Sequence, residues 1–588
     1  MRLPRFIACC TSLALLAPAP PLRAQATPDT TLVGTWAGGT TQLPGIAGAL
    51  ALVRAGSAWR ATVGRHALAC EARQGEVRCE TRGDSGALRV PLPVRDRAYW
   101  VQPPLNGPAY ATPVRLHRAG AGSWRGDVVP LAERVTLHLR IWRDGSGRVL
   151  ARFRNPEFGW QLGRTFEVAS SDRAVEFRDP VSGAVRFRQD LDRTQGTITF
   201  DFGTPFTLHR VTGPAPARGP LRTPQARNDG WRTASLASMG FDAAKVEAIV
   251  RDLETADAFG DSTVLVHALL VARHGRLVLE RYAPGFDAEQ LHDTRSAAKT
   301  LTSVLAGVAM RRGAPLTLDG SVRAALDSAH VARDDASGRI TLRHLLTHTT
   351  GLACDDDDSD SPGNEERLQQ QRDEPDWARY TLALAAVHPP GAHYAYCSAT
   401  MHTAAALVEH ATGAWLPAFF DSTLARPLGM GRWAWNLTPT GSGYGGGGVY
   451  LRPRDFARLG QLYLDGGSWR GARIVDRAWV DTSVAPQATM ENGGSDGLAW
   501  HRYRVVAGGR EWEEFEASGN GGQFTMVVPE LELVVTAMAG NYGRYGTWRR
   551  IREDLLPQLI GAIAPATSGR GQLRPRVPGP VPHPGHGG

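Results

Sequence analysis

Ser296 and Lys299 stand three residues apart at the start of TRSAAKTLTSVLAGVAMRRG, which begins at Thr294. On a helix that spacing puts the two side chains about one turn apart on one face. A serine hydroxyl is a weak nucleophile until a neighbour takes its proton. A lysine does so when burial or other cations depress its pKa. Backbone N–H groups at a helix start add donors for an oxyanion. The S-x-x-K spacing alone is a weak signal. It gains weight here because Lys245 and Lys299 are the only two lysines among 66 basic residues.

The elements that must position this pair follow from periodicity. Leu301, Val304, Leu305 and Val308 fall on one helical face, and Gly313 ends that helix. Upstream, a helical pattern runs from about Asp242 to Leu253. HALLVARHGRLVLERY then predicts two strands turning at His274-Gly275. Near the end, QFTMVVPELELVVTAMAG predicts another hairpin turning at Pro529-Glu530, before a last helix from about Thr547 to Ile563. Strands at both ends with helices between predict an antiparallel sheet flanked and interrupted by helices, with a helical subdomain.

Several further stretches occur in a fixed order around SAAK: LLVARHGRLVLERY before it, then ITLRHLLTHTTGL, PPGAHYAYCSATMHTAAALVEHATG, GGVYLRPRDFARLGQLYLDGG and ASGNGGQFTMVVPELELVV. With these, the segment from about Gly230 to Ile563 resembles the class C β-lactamase, D-alanyl-D-alanine carboxypeptidase and esterase family. Within that family it looks most like the 6-aminohexanoate-dimer hydrolase branch. The resemblance implies a β-lactamase/transpeptidase-like α/β (α+β) fold and an acyl-enzyme on Ser296, with no metal and no organic cofactor. The family's second motif, Y-x-N, reads Tyr396-Cys397-Ser398 here. By resemblance, Tyr396 shares proton transfer with Lys299 and protonates the leaving group. Ser398 takes the place of the usual Asn as a substrate contact, with a shorter reach. Tyr394 is read as a packing neighbour.

The third motif departs from the family. K-T-G cannot occur, because Val246 follows Lys245 and Lys299 is already used. The corresponding stretch is Ala517-Ser518-Gly519-Asn520-Gly521-Gly522-Gln523. Ser518 and Gly519 to Gly522 are expected to form the substrate edge. A backbone N–H near Asn520 to Gly522 is expected to complete the oxyanion hole. Losing the lysine removes a cation for a substrate carboxylate. That lowers the β-lactamase and D,D-carboxypeptidase readings and favours neutral or differently charged amides and esters. G-G-S-D-G at Gly493 to Gly497 matches G-x-S-x-G only formally and reads as a loop. DDDDSDSPGNEE, from Asp355, reads as a solvated acidic loop near the site entrance, without calcium-loop spacing. His292 and His393 read as structural, and no His spacing indicates a metal site.

The rest of the chain bounds the setting. At 588 residues it exceeds one core, so it is expected to be multi-domain. Hydrophobic content of 42% and charged content of 21% suit a folded globular protein. A net charge of +8 without a basic stripe argues against nucleic acid. Arg2 and Arg5, an apolar run from Phe6 to Ala17 and Ala24-Gln25-Ala26 predict a signal peptide over 1–26. The run is too short to span a bilayer, so a periplasmic or secreted protein is expected. Residues 31–210 read as an all-β domain of two similar lobes. GTWAGG at Gly34 is echoed by GSWRGD at Gly122, and PVRLHR, ending at Arg118, by PFTLHR, ending at Arg210. A linker over 211–228, the hydrolase domain over 229–564 and a disordered tail over 565–588 complete the division. Among the cysteines left after cleavage, Cys70 is expected to pair with Cys79 and Cys354 with Cys397. Free buried thiols stay open for the second couple.

The expectation for function is an exported serine hydrolase acting on a small amide or ester. A catalytically weak sensor or binding protein stays open because of Y-C-S and the missing lysine. Binding of cell-wall material by the β domain is a third reading, with no residue constellation behind it.

Overall fold

The protein is described by a computed structural model over residues 29–564, except 44, 74, 84–85, 104–107, 160–162, 202–203, 214–218 and 327–338. The expected signal peptide and tail lie outside the described residues. The chain divides into an N-terminal all-β region and a C-terminal β-lactamase-like α/β unit.

The all-β region is nested rather than tandem. The strand Gly34–Gln42 pairs with Glu133–Arg143 and Pro205–Arg210, closing an eight-stranded barrel with the strands between those two. The interior is filled by alternating apolar residues, among them Leu137, Leu139, Phe153, Phe177, Phe200 and Leu208. Side chains alone fill a barrel of this strand number. Between the first two barrel strands the chain leaves to build a separate run, from Gly48–Ala55 to Ser123–Val128. Two repeat-bearing lobes exist, but their Trp and L-H-R strands are exchanged. Trp36 lies opposite Arg210, and Trp124 opposite Arg118. Each Trp strand therefore pairs with the L-H-R strand of the other repeat. The sequence echo records a recurring antiparallel pair, not two consecutive units.

The second lobe is continuous with the catalytic unit. Its strand Tyr110–Arg115 pairs with Ala434–Asn436, which pairs with Val449–Leu451, which pairs with His292–Asp293. These strands make one twelve-stranded sheet that ends three residues before Ser296. Tyr99 and Ala111 are buried in the same apolar core as Leu301, Leu305 and Trp433. The Tyr99 hydroxyl and the Arg97 guanidinium both reach the buried Asp421 carboxylate, at 3.3 and 3.2 Å. The expected linker is tied down where it is described. Gly219 and Gln225 accept hydrogen bonds from Arg281 and Arg454, and Arg227 pairs with Glu289.

The catalytic sheet has nine strands, antiparallel apart from the two-residue strand at one edge. His274 (φ 50°) and Gly275 (φ 69°) turn the first hairpin, from Val266–Arg273 to Arg276–Tyr282. Positive φ at both positions matches the twist of the flanking strands. The helix Ala243–Thr255 and the C-terminal helical segments cover one face of the sheet. The helices Ala298–Arg311 and Pro453–Leu464 cover the other, and Ser398–Thr412 packs against Ala298–Arg311. Ala298–Arg311 is buried on nearly every side, which suits its all-round small and apolar composition.

Two disulfides are present. Cys70 and Cys79 are bonded directly opposite each other on neighbouring strands. Cys354 is bonded to Cys397, with their Cα atoms 5.7 Å apart. No helix among the described residues is long and apolar enough to cross a membrane.

Candidate active site

Ser296 sits in the single 3-10 turn Arg295–Ala297 that leads into the helix Ala298–Arg311. Arg295 has a φ of 52°, a left-handed conformation that a bulky side chain rarely adopts. Its N–H donates to Asp293 Oδ1 at 2.8 Å, its guanidinium pairs with the same carboxylate, and that guanidinium lies 4.8 Å from the Tyr542 ring centre. Thr294 donates to Val449 O from both its N–H and its hydroxyl, at 3.0 and 2.7 Å. The turn that presents the nucleophile is thus held by the last strands of the twelve-stranded sheet.

Lys299 is 3% exposed. Its Nζ donates to Ser296 Oγ at 3.1 Å and to Gly446 O at 2.7 Å. Tyr396 stands beside this pair, with its ring centre 4.7 Å from the ammonium. A pocket lined by Ser296, Lys299, Tyr396, His348, His501 and Ser518, among others, encloses about 200 Å³ including solvent at its mouth. Ser296, Lys299, Tyr396 and Ser518 are therefore brought together.

The protonation of Lys299 runs against expectation. Burial pulls its pKa down, but Tyr396, Glu365 and Asp356 outweigh burial and hold it above its ordinary value. Burial pushes the Tyr396 phenol up, although Lys299 opposes this. The resting lysine is an ammonium, and the Lys299–Tyr396 pair becomes a base only by losing a proton. Labelling or acylation of Ser296 should then rise with pH above neutrality. Asp356→Asn removes one carboxylate that holds the lysine charged. It is expected to move that rise acidward by about one pH unit, read from the pH profile of the labelling rate.

The two carboxylates come from the stretch read as a solvated loop. Asp356 is instead turned inward. Its oxygens accept from the N–H groups of Ser398 and Glu365, at 2.8 and 2.9 Å, and from Ser398 Oγ at 2.6 Å. Burial and the neighbouring Glu365 push its carboxyl up to about 6, against the pull of Lys299 and Ser398. Glu365 accepts from the Tyr444 hydroxyl at 2.6 Å. The Asp356 N–H donates to Tyr396 O at 2.8 Å, and the Cys354–Cys397 disulfide joins the same two segments. Asn364 Nδ2 ties the loop by donating to Asp356 O at 3.0 Å and Asp358 O at 3.2 Å.

Ser398 is accordingly not a substrate contact. It is fully buried and its hydroxyl is spent on Asp356. The third-motif stretch is corrected in a similar way. Only Ser518 of that set lines the pocket. Asn520, Gly521 and Gly522 form the turn behind it. Gly522 N–H is taken by Gly519 O at 3.1 Å, and Asn520 Oδ1 accepts from Gly543 N–H at 2.8 Å. The left-handed backbone of Gly521 and Gly522 serves this turn. Gly519 has a different duty, because a Cβ there would meet Thr294 O at 2.3 Å and Ala297 N at 3.1 Å. Gly519→Ala is expected to displace the nucleophile turn, costing about 1–3 kcal/mol of stability. It should slow Ser296 labelling by about a hundredfold. Melting temperature and labelling rate, measured on one preparation, check both.

Two groups were missed in the sequence. His348 (φ 55°) stacks 4.7 Å from the Tyr396 ring centre, and its Nδ1 accepts from Cys397 N–H at 3.2 Å. His501 lines the pocket beside Asp496, the fourth residue of the formal G-G-S-D-G match. No local spacing marks either one. His292 is buried against His267, with Nε2 to Nδ1 at 3.0 Å, and Tyr394 packs edge-on to His348. His393 stacks on His388 outside the pocket. Among the described residues no group of three or more His, Cys, Asp and Glu is arranged to hold a metal ion.

A family model described as Beta-lactamase matches residues 247–551. The 6-aminohexanoate-dimer hydrolase of Paenarthrobacter ureafaciens is 26% identical over 227 residues, covering 37% of this chain and 57% of that protein. A monacolin J acid methylbutanoyltransferase of Aspergillus terreus is 34% identical over 151 residues, covering 23% of this chain and 35% of that protein. The chain thus spans just over half of the first relative and about a third of the second. A penicillin-binding protein homologue from Caulobacter crescentus superposes with a TM-score of 0.43 at 17% identity, covering 54% of this chain and 97% of that one.

Proposed function

We propose, from the premise that the chain belongs to the beta-lactamase family, that it is an exported serine hydrolase cleaving a small amide or ester through an acyl-enzyme on Ser296. The observation that carries this reading is the buried Lys299 ammonium, 3.1 Å from Ser296 Oγ, with the Tyr396 ring centre 4.7 Å from its Nζ. A buried cation is costly unless it is paired, and here Asp356 and Glu365 keep it charged beside the Ser296 hydroxyl.

The chemistry follows from those contacts. Once the Lys299–Tyr396 pair has lost a proton, it accepts the Ser296 hydroxyl proton as Oγ attacks the carbonyl carbon. The negative oxygen of the tetrahedral intermediate lies between the Ser296 turn and the strand end at Ser518 and Gly519. Tyr396 then gives the proton to the leaving nitrogen or oxygen. Water finally cleaves the Ser296 ester.

The substrate reading rests on what lines the cleft. The stretch Ala517 to Gln523, which resembles the third-motif strand, holds no lysine, so none is offered to a carboxylate there. The pocket's small size fits short acyl groups. The names of the two curated relatives, a dimer hydrolase and a methylbutanoyltransferase, support the same class. Export is part of the proposal on the strength of residues 1–26, and recovery of a mature chain beginning near Thr27 would support it.

The test is a fluorophosphonate probe applied to the purified full chain, with the adduct mapped by peptide mass. A single adduct on the peptide carrying Ser296 is the expected result. A folded sample that takes no probe would overturn the hydrolase and turn attention to ligand binding. Hydrolysis of p-nitrophenyl butyrate, 6-aminohexanoate dimer and nitrocefin would then rank the substrate classes.

A further inference from the structure

Asp496 and His501 face each other on adjoining strands, Ser495–Asp496 and His501–Ala507. Asp496 is fully buried, and its Oδ1 lies 3.4 Å from His501 Nδ1. That Nδ1 and both Asp496 oxygens are buried with no hydrogen-bond partner, so the contact between them is an electrostatic one, while the His501 side chain keeps 16% exposure and lines the pocket with Ser296. The exposed part of the ring is therefore the part away from Nδ1. A carboxylate on one imidazole nitrogen fixes the tautomer and leaves the other free as a proton acceptor.

We propose that His501, oriented by Asp496, is the general base that deprotonates the water that cleaves the Ser296 acyl-enzyme. The proposal rests on the acyl-enzyme reading above. Elimination among the other pocket groups leads to it. Once the leaving group has gone, the Lys299–Tyr396 pair regains a proton from solvent; Lys299 is then an ammonium donating to Gly446 O, and the Tyr396 phenol, pushed up by burial, keeps its hydrogen, so neither serves as the base for a water proton. His348 accepts from Cys397 N–H through Nδ1, so its Nε2 carries the hydrogen and can only donate. Burial and Lys299 also hold His348 far below its ordinary pKa.

The charged groups around His501 come from each neighbouring element. Asp496 adjoins it, and Glu516 is its cross-strand partner. Arg552, from the C-terminal helical segment, pairs with Glu516 at 2.8 Å. Tyr396 lies with its ring centre 6.3 Å away, and His348 and Lys299 share the pocket. Burial lowers the His501 pKa and Arg552 adds to that, but Asp496 and Glu516 prevail and raise it above 6.5. His501 is then a base only at pH values above this raised pKa.

In the step, a water oxygen bonds to the ester carbonyl carbon while His501 takes one water proton. The C–O bond to Ser296 then breaks, and Ser296 Oγ recovers a proton from Lys299. The acid product leaves, and the two side chains return to their resting states by exchange with solvent.

The experiment is burst kinetics of the full chain with p-nitrophenyl butyrate, with intact mass read during turnover. His501→Gln is expected to keep the burst within about threefold while the steady-state rate falls about a hundredfold. A butyryl adduct on Ser296 should accumulate, and the neutral-range pH dependence of deacylation should vanish. Asp496→Asn should act in the same direction, and imidazole should restore deacylation to His501→Ala. Equal loss of acylation and deacylation, or unchanged deacylation, in a folded variant overturns the proposal. A wild-type chain with no Ser296 adduct, by contrast, overturns the hydrolase reading beneath it.

Discussion

Ser296→Ala is expected to lower hydrolysis of any substrate of this protein by about a millionfold, to the level left by binding alone. The change removes one oxygen from a part-exposed side chain. Lys299 loses one acceptor but keeps Gly446 O, so the fold should persist. Fluorophosphonate adducts should disappear from the peptide carrying position 296. Unchanged melting, together with lost turnover, separates a missing nucleophile from a damaged fold. Surviving turnover would move the nucleophile elsewhere.

Lys299→Met is the second large effect, and it acts on both rate and stability. Methionine fills a similar volume but supplies no proton transfer. Turnover is expected to fall by at least about a thousandfold. Asp356 loses a favourable charge behind the nucleophile, so its carboxyl, already pushed up to about 6, rises further. A carboxyl raised in the folded state costs stability above its folded pKa and costs little below its unfolded one. The loss relative to wild type should therefore be about 3 kcal/mol at pH 8. It should shrink towards pH 5 and below as Asp356 takes up its proton. Melting curves at several pH values measure this, and a gap independent of pH would mean that Asp356 does not sense Lys299.

The Ser296–Lys299 contact was legible because lysine is scarce in this chain and helical spacing carries meaning over three residues. Tyr396 was legible through the order of flanking motifs. Asp356 was not, because four consecutive aspartates have no periodicity and nothing local tells which one turns inward. Its inward turn depends on a disulfide and on Ser398, whose place in Y-x-N suggested a substrate contact. His501 and Asp496 meet across a strand pair, and the formal motif around Asp496 pointed to its serine. In the β region the echoes were real, but sequence similarity cannot say which copy of a strand pairs with which. The exchanged pairing of Trp36 with Arg210 and of Trp124 with Arg118 is a property of the return path.

The sheet that passes from Tyr110–Arg115 through Ala434–Asn436 to His292–Asp293 sets what can be inherited or engineered as one piece. A fragment cut at 211–228 would bare the open edge of Ala434–Asn436 and uncover Tyr450, which meets Tyr110 edge-on at 5.5 Å. Unpaired strand edges recruit other chains and drive aggregation. The portable module therefore includes both the β region and the unit that bears Ser296. Recombination that swaps only the half bearing Ser296 must bring a replacement strand for that edge, or leave the nucleophile's turn hanging from an unfinished sheet.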